Sequence, residues 1–325
     1  MRVVQAEATR VDTAMQADLA GLQSGSESML FEVLQYGLFN GGKRIRPLLV
    51  VLCARLVGCT DQSVYRLAGA FEYLHAATLF HDDVIDNATV RRGRPAVNQE
   101  YGMVAAILAG DFLHARAMAI VGEMAGVPGL RIFCRATGAL VAGEFMQLRN
   151  AAVTSLSEED YMAAILGKTG MLISAACEVG ALFGGATAGE REALRRYGVG
   201  LGSAFQMVDD LLDYTGDERQ TGKKVGNDLV EGKMTLPLIV TMTRADREDR
   251  ARLQAILAHQ EERSRQFAAV HALIEKYDGY QATRQRAEQA ITEAMASLAI
   301  FTGRTTTEAK DALSALGGYI LARKK

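Results

Sequence analysis

Leu74-His75-Ala76-Ala77-Thr78-Leu79-Phe80-His81-Asp82-Asp83-Val84-Ile85-Asp86 ends an apolar run with three acids, and Ala204-Phe205-Gln206-Met207-Val208-Asp209-Asp210-Leu211-Leu212-Asp213 repeats the arrangement later in the chain. Both copies place carboxylates at i, i+1 and i+4. On an α-helix i and i+4 lie about 40° apart around the axis, so Asp82 stacks on Asp86 and Asp209 on Asp213. Acids on one stripe repel one another unless a cation sits among them. A single such pattern is common on a solvated helix face. Two copies in apolar flanks are not explained that way, because burying unpaired carboxylates is costly. Carboxylate oxygens suit Mg²⁺, which keeps waters and substrate phosphates among its ligands. Asp82, Asp83, Asp86, Asp209, Asp210 and Asp213 are therefore the expected metal ligands.

Composition narrows the class. The chain has 325 residues, 49% of them apolar, and a formal net charge of −2, with no basic excess to bind a nucleic-acid backbone. Four prolines, no tryptophan and abundant alanine and leucine favour helices. Cys53, Cys59, Cys134 and Cys177 lack the Cys-x-x-Cys spacing and read as free thiols in a reducing, cytoplasmic compartment. Residues 1–21 contain no continuous apolar run, so no signal peptide is expected. Residues 171–189 are apolar apart from Glu178, but their small residues suit close packing in a bundle, so no membrane span is expected.

Apolar residues recur at three and four positions, as in Leu30-Val33-Leu34-Leu38 and Val104-Ile107-Leu108-Phe112. No sustained period-two segment is visible. Loops are expected at Gly41-Gly42, at 91–95, at 126–129 and at 216–232, and peripheral helices at 244–290. No linker-like composition divides the chain, so an all-α, single-domain helical bundle around a central apolar cavity is expected over residues 1–325. Each acid cluster lies near an expected helix C-terminus, whose partial negative charge also favours cations. Parallel helices would bring the two clusters to one rim of that cavity.

Basic residues accompany both clusters: Lys43, Arg44 and Arg46 just before Pro47, Arg91 and Arg92 after the first acids, Lys168 with Thr169 in mid-chain, and Lys223 and Lys233 after the second acids. Each alone reads as a solvated surface cation. Together, beside metal-binding acids, they suit a diphosphate.

In GGKRIRP (41–47), LHAATLFHDDVID (74–86), RRGRP (91–95), GDF (110–112), GEFMQL (143–148), LGKTG (166–170), FQMVDDLLDY (205–214) and TGKKVGNDLVEGKMTLPL (221–238) the chain resembles the all-trans polyprenyl diphosphate synthases, over nearly its whole length and in order. The resemblance implies the isoprenoid-synthase fold, a homodimer, and condensation of isopentenyl diphosphate with an allylic diphosphate, farnesyl or geranyl. By the same resemblance Lys43, Arg46, His75 and Arg92 hold isopentenyl diphosphate. The six aspartates hold Mg²⁺ on the allylic diphosphate, and Arg91, Lys168, Thr169, Gln206, Lys223 and Lys233 contact or support that group. Asp82, Asp86, Asp209, Lys168 and Arg91 are the residues expected to carry catalysis. Asn227, where an acid is frequent, and Met234, where a smaller or rigid residue is frequent, are departures. Lys224 is extra, and His81 reads as structural.

The implied chemistry is ionisation of the allylic C–O bond, attack by the isopentenyl double bond, and proton loss; no side-chain nucleophile is needed. Product length is expected to follow the positions below the first acids. Ala77 and Thr78 are not aromatic, and Ala115, Ala117, Met118 and Ala119 keep a following helix lean. A product of thirty to fifty carbons is expected, with octaprenyl as the central value, for quinone side chains. The alternatives are geranylgeranyl or farnesyl diphosphate synthesis, a non-catalytic partner subunit, and a terpene cyclase; the last has no need of Lys43, Arg46 and Arg92 for a second diphosphate.

Overall fold

A computed structural model describes residues 2–22, 27–150, 153, 155–216, 225–302 and 307–323. Lys223 and Lys224 lie outside the described residues. Among the described residues the fold is all-α apart from one two-residue ladder. It forms two compact units: residues 1–134, 175–194 and 300–313, and residues 135–174, 195–299 and 314–325.

The first unit opens with α1 (Arg2–Leu22), which buries Val11, Met15 and Leu19 at four-residue spacing. Glu27 caps α2 (Ser28–Leu38), accepting the Leu30 N–H at 3.0 Å. Helices α3 (Ile45–Leu56) and α4 (Val64–Ile85) are apolar nearly all round and form the core of this unit. Helix α3 begins at Ile45, two residues before Pro47, so Arg46 sits inside its first turn. Residues 91–95, expected to be a plain loop, form a hairpin with α4 upstream: β1 (Val90–Arg91) pairs antiparallel with β2 (Arg94–Pro95). Its turn residues Arg92 (φ 54°) and Gly93 (φ 79°) supply the two positive φ angles a tight hairpin needs, a signal without period-two patterning.

After α5 (Val97–Glu100) comes α6 (Met103–Asn150), two helices joined end to end. Gly126 breaks the helical path (φ 61°, ψ −167°) two residues before Pro128. The expected loop at 126–129 is thus a one-residue kink. Serine and aspartate form a reciprocal cap, Ser157 with Asp160, at the start of α7 (Glu158–Ile165). Leu166–Gly170 widens into a π-helical turn before α8 (Met171–Phe183) and α9 (Ala188–Thr215). Such turns recur at functional sites; this one carries Lys168 and Thr169.

The small residues of 171–189 serve close packing, as expected. A Cβ on Gly180 would stand 2.3 Å from the Val50 carbonyl oxygen, so α8 lies backbone-to-backbone on α3. The second unit continues with α10 (Asn227–Glu231), α11 (Leu236–Arg244), α12 (Arg247–Leu257), α13 (Gln260–Arg265), α14 (Phe267–Lys276), α15 (Gly279–Ser297) and α16 (Thr307–Leu321), whose last turns belong to it. Two stretches, Met103–Asn150 and Glu158–Phe183, are long and apolar enough to cross a membrane, and 61% of the most apolar window of the second is buried within the protein.

Candidate functional site

In the first unit the acids occupy the last turn of α4, with Asp86 as its C-cap. They are not equivalent. Asp83 is buried and accepts two bonds from Arg91, Nε at 2.9 Å and Nη2 to the same oxygen. Asn98, itself buried, donates to the Asp83 carbonyl at 2.9 Å and holds the helix end. Asp82 is half-buried and Asp86 exposed. Arg91 is therefore a brace for the acid motif as well as a cation beside it.

The hairpin returns Arg92 to the glycine loop, where Nη1 donates to the Gly41 carbonyl. Gly41 (φ 81°) and Gly42 (φ 138°) need glycine, and a Cβ on Gly42 would stand 2.9 Å from the Arg92 guanidinium. A pocket here is lined by Arg44, Glu72, His75, Asp83, Arg91 and Arg92. Burial holds Arg46 below the usual guanidinium range. Burial, then Arg46, Arg92, Arg91 and Arg44, push His75 well below its ordinary value, so it is a neutral imidazole at pH 7. Three guanidinium groups against two carboxylates leave this pocket net positive, which suits a diphosphate. His81 packs on Gly110, whose Cβ would stand 2.4 Å from Nε2, and it neighbours Asp111 at 3.4 Å; that explains GDF and agrees with a structural histidine.

In the second unit Asp209, Asp210 and Asp213 lie in the last two turns of α9. Asp210 is buried, accepts the Tyr161 hydroxyl at 2.6 Å and the Gln206 amide at 2.9 Å, and Gln206 in turn accepts from Thr169 at 2.9 Å. Burial, then Asp228, push Asp210 up to about 8. Asp213 accepts the Asp228 backbone N–H at 3.0 Å at the start of α10, and burial followed by Asp228 pushes it up to about 6. Lys233 binds Asp228 at 3.1 Å and Glu231 at 2.6 Å. Asp209 pairs with Arg323 at 3.0 Å, whose guanidinium stacks on Phe205.

Lys168 is held by Gln147 and Glu144, each at 2.8 Å. A Cβ on Gly143 would stand 2.6 Å from the Lys168 nitrogen, and one on Gly202 would stand 2.7 Å from Gly170 Cα. Two glycines thus let α6 and α9 approach the π-turn. Of the two departures, Asn227 donates to Glu231 at 2.6 Å and Met234 is buried.

Divalent cations suit these acids. Burial first, and the neighbouring Asp228 second, raise Asp210 and Asp213, and both clusters stand at helix C-termini, where the backbone adds partial negative charge. Among the described residues no three acid, imidazole or thiol side chains form a closed cage. An open site of one or two carboxylates, completed by water and phosphate oxygens, is the manner of Mg²⁺.

Of the residues below the first acids, Ala77 is buried and Thr78 half-buried, donating to the His75 carbonyl at 2.8 Å. On α6, Ala117 is buried and Met118 half-buried, whereas Ala115 and Ala119 are exposed and cannot narrow an interior wall within this chain. The sequence named Arg44 only as one of three cations before Pro47, and it did not single out Glu72, Asn98, Tyr161, Asp228 or Arg323.

An all-α chain with acids at two helix ends and guanidinium groups beside them is the architecture of a prenyltransferase. The chain belongs to the polyprenyl synthetase family, which it matches over residues 27–274. It is 37% identical over 290 residues to octaprenyl diphosphate synthase of Escherichia coli (strain K12), covering 87% of this chain and 90% of that one. It is 36% identical over 261 residues to geranylgeranyl diphosphate synthase of Saccharolobus solfataricus, covering 76% and 79%. Among solved structures it is similar to a decaprenyl diphosphate synthase from Rhodobacter capsulatus, with TM-score 0.90, 35% identity and coverage of 100% and 99%. It is also similar to a polyprenyl synthase from Caulobacter crescentus CB15 complexed with calcium and isoprenyl diphosphate, with TM-score 0.89, 34% identity and coverage of 100% and 97%.

Proposed function

We propose that this prenyltransferase extends farnesyl or geranyl diphosphate with isopentenyl diphosphate to an all-trans product of thirty to fifty carbons, octaprenyl as the central value, for quinone side chains. The observation that carries the reading lies in the first unit, where the acid-bearing end of α4 adjoins a guanidinium-lined pocket that keeps His75 neutral. Similarity to octaprenyl and decaprenyl diphosphate synthases and the small side chains of Ala77 and Thr78 support the long product.

Asp82, Asp83, Asp86, Asp209, Asp210 and Asp213 would hold Mg²⁺, some directly and some through water; bound there, the ion would supply the positive charge that a departing diphosphate requires. Lys43, Arg46 and Arg92 bind the isopentenyl diphosphate, and His75 donates a hydrogen bond to it as a neutral imidazole. Arg91, Lys168, Thr169, Gln206, Lys223 and Lys233 bind or orient the allylic diphosphate. Ala77, Met118 and Thr78, whose hydroxyl is turned back to the His75 carbonyl, exclude water and leave room for the growing chain.

A homodimer is supported by the first half of α6, where Met103 (56% exposed), Val104 (70%) and Leu108 (60%) leave an apolar face on the surface. A single domain is supported by the unbroken family match, and a cytoplasmic setting by the free thiols of all four cysteines. The buried Glu158–Phe183 window supports a bundle helix over a membrane span.

The test is incubation with farnesyl diphosphate, isopentenyl diphosphate and Mg²⁺, followed by mass analysis of the dephosphorylated lipid. Products of thirty to fifty carbons are expected. A single extension to twenty carbons would move the reading to the geranylgeranyl product, and no product in any arm would overturn it.

A further inference from the structure

Arg44 stands between Lys43 and Arg46 in the chain, and its guanidinium is bound by the protein itself. It is a non-glycine residue in the left-handed region (φ 49°, ψ 35°), and it is only 5% exposed. Its guanidinium donates to three parts of the first unit: Asp12 of α1 at 2.8 Å, Glu72 of α4 at 2.5 Å and the Leu38 carbonyl at the end of α2 at 2.8 Å. A left-handed arginine persists only where its surroundings over-determine it. Here the side-chain bonds do so, and they fix the direction in which the chain enters α3.

Glu72 is one of two buried acids lining this pocket, with Asp83; it is 4% exposed and lies one turn before His75 on α4. Besides its contact with Arg44, its charge acts on Arg46 and Arg92 and favours their protonated forms. A carboxylate in a pocket meant for an anion opposes binding, unless its geometry is worth more than its charge.

We infer that Arg44 and Glu72 are positioning residues for isopentenyl diphosphate: their buried ion pair clamps the left-handed turn so that Lys43 and Arg46, on either side of it, face one diphosphate. This rests on the reaction proposed above. The clamp is aimed at the isopentenyl site, because Lys43 and Arg46 flank the turn it holds, whereas Arg91, the allylic-site cation of this unit, is held separately by Asp83.

The sign of one substitution tests it. Glu72→Gln keeps the shape and removes the charge. If Glu72 only dilutes positive potential, the variant binds isopentenyl diphosphate more tightly. If it aims the turn, the variant raises the KM for isopentenyl diphosphate about tenfold and moves the KM for the allylic substrate by less than about twofold. The double variant Arg44→Met/Glu72→Met replaces the pair with apolar side chains, which often preserves folding, and is expected to shift the same KM. Unchanged or lowered KM in folded variants would overturn the inference. So would failure of both variants to fold, because the pair would then be only a core fastener. Calorimetry with inorganic pyrophosphate separates the two readings: weaker binding in Glu72→Gln supports the clamp even if the wild-type protein makes no prenyl product.

Discussion

Tyr161 donates its hydroxyl to Asp210 Oδ2 at 2.6 Å, inside the second unit, while Gln206 holds Oδ1 at 2.9 Å. Both oxygens of the middle acid are thus engaged by protein. In the first unit the middle acid is held through one oxygen, Asp83 Oδ1, which accepts both Nε and Nη2 of Arg91. In each trio the middle carboxylate fastens the helix end to its surroundings. The outer acids stand at the more exposed positions, Asp82 and Asp86 in one motif and Asp209 and Asp213 in the other.

Removing the Tyr161 hydroxyl should therefore be felt at Asp210. A hydrogen bond to a charged or partly charged group contributes about 1.5–3 kcal/mol. Tyr161→Phe is expected to lower kcat about ten- to a hundredfold and to leave the KM for isopentenyl diphosphate unchanged. Steady-state kinetics with each substrate varied in turn checks this. A variant with wild-type kcat would show that Asp210 needs no fastener.

Proton uptake at the second motif has a definite sign. Asp210 titrates at about 8 and Asp213 at about 6 in the folded, ion-free protein, whereas unfolded aspartates titrate near about 4. Between these values the folded protein holds protons that the unfolded chain has released. This contribution to stability is present below about pH 4 and is lost as pH rises towards about 8. In a chelator, Asp210→Asn should gain Tm relative to wild type as pH rises through that window. Mg²⁺ favours the ionised acids, so its affinity should rise over the same range. Thermal melts and magnesium calorimetry at several pH values decide the matter; a difference in Tm that ignores pH would exclude Asp210 as the titrating group.

The π-turn gives a prediction about shape alone. A Cβ on Gly143 would stand 2.6 Å from the Lys168 backbone nitrogen, and neither backbone can yield locally. Gly143→Ala is expected to destabilise the protein by about 1–3 kcal/mol, the usual range for overpacking. It should also displace Lys168 from Gln147 and Glu144. A lowered Tm together with a raised KM for the allylic substrate is the expected pair of results. Loss of neither would mean that α6 can slide on the turn without consequence.

Period and motif make much of this fold legible in the sequence. The 3.6-residue repeat in Leu30-Val33-Leu34-Leu38 reads as a helix, and α2 buries Val33, Leu34 and Leu38 on that face. Both acid motifs read as helix ends because Asn87 and Gly216 follow them, and α4 and α9 end at Ile85 and Thr215. The rest was hidden for physical reasons. The hairpin around Arg92-Gly93 is two residues a side, too short for an alternating pattern. Gly126 breaks α6 at a single residue where a four-residue loop was expected. Tyr161, Glu72 and Arg44 act through contacts with residues 49, 28 and 32 positions away, a distance no local pattern encodes. Arg323 meets Asp209 across 114 positions for the same reason.

Product length should answer to α4 one turn below the first acids. Thr78 lies four residues before Asp82, on the same stripe of the helix. It is half-buried, with its hydroxyl turned back to the His75 carbonyl at 2.8 Å, so an aromatic ring at this position can project along the stripe without entering a packed core. Ala77 is different: at 2% exposure it has little room, and a ring there must displace neighbours. Ala77→Tyr and Thr78→Phe are both expected to shorten the product, because a growing chain descending from the acids meets the ring. Ala77→Tyr should also lower Tm by an amount typical of overpacking, about 1–3 kcal/mol in stability, and Thr78→Phe by less. The rate of the first condensation should survive in Thr78→Phe, since the diphosphate contacts are untouched. Mass analysis of the lipids from each variant, beside a thermal melt, separates the two effects. A product distribution equal to wild type in both would place the growing chain on another face of α4.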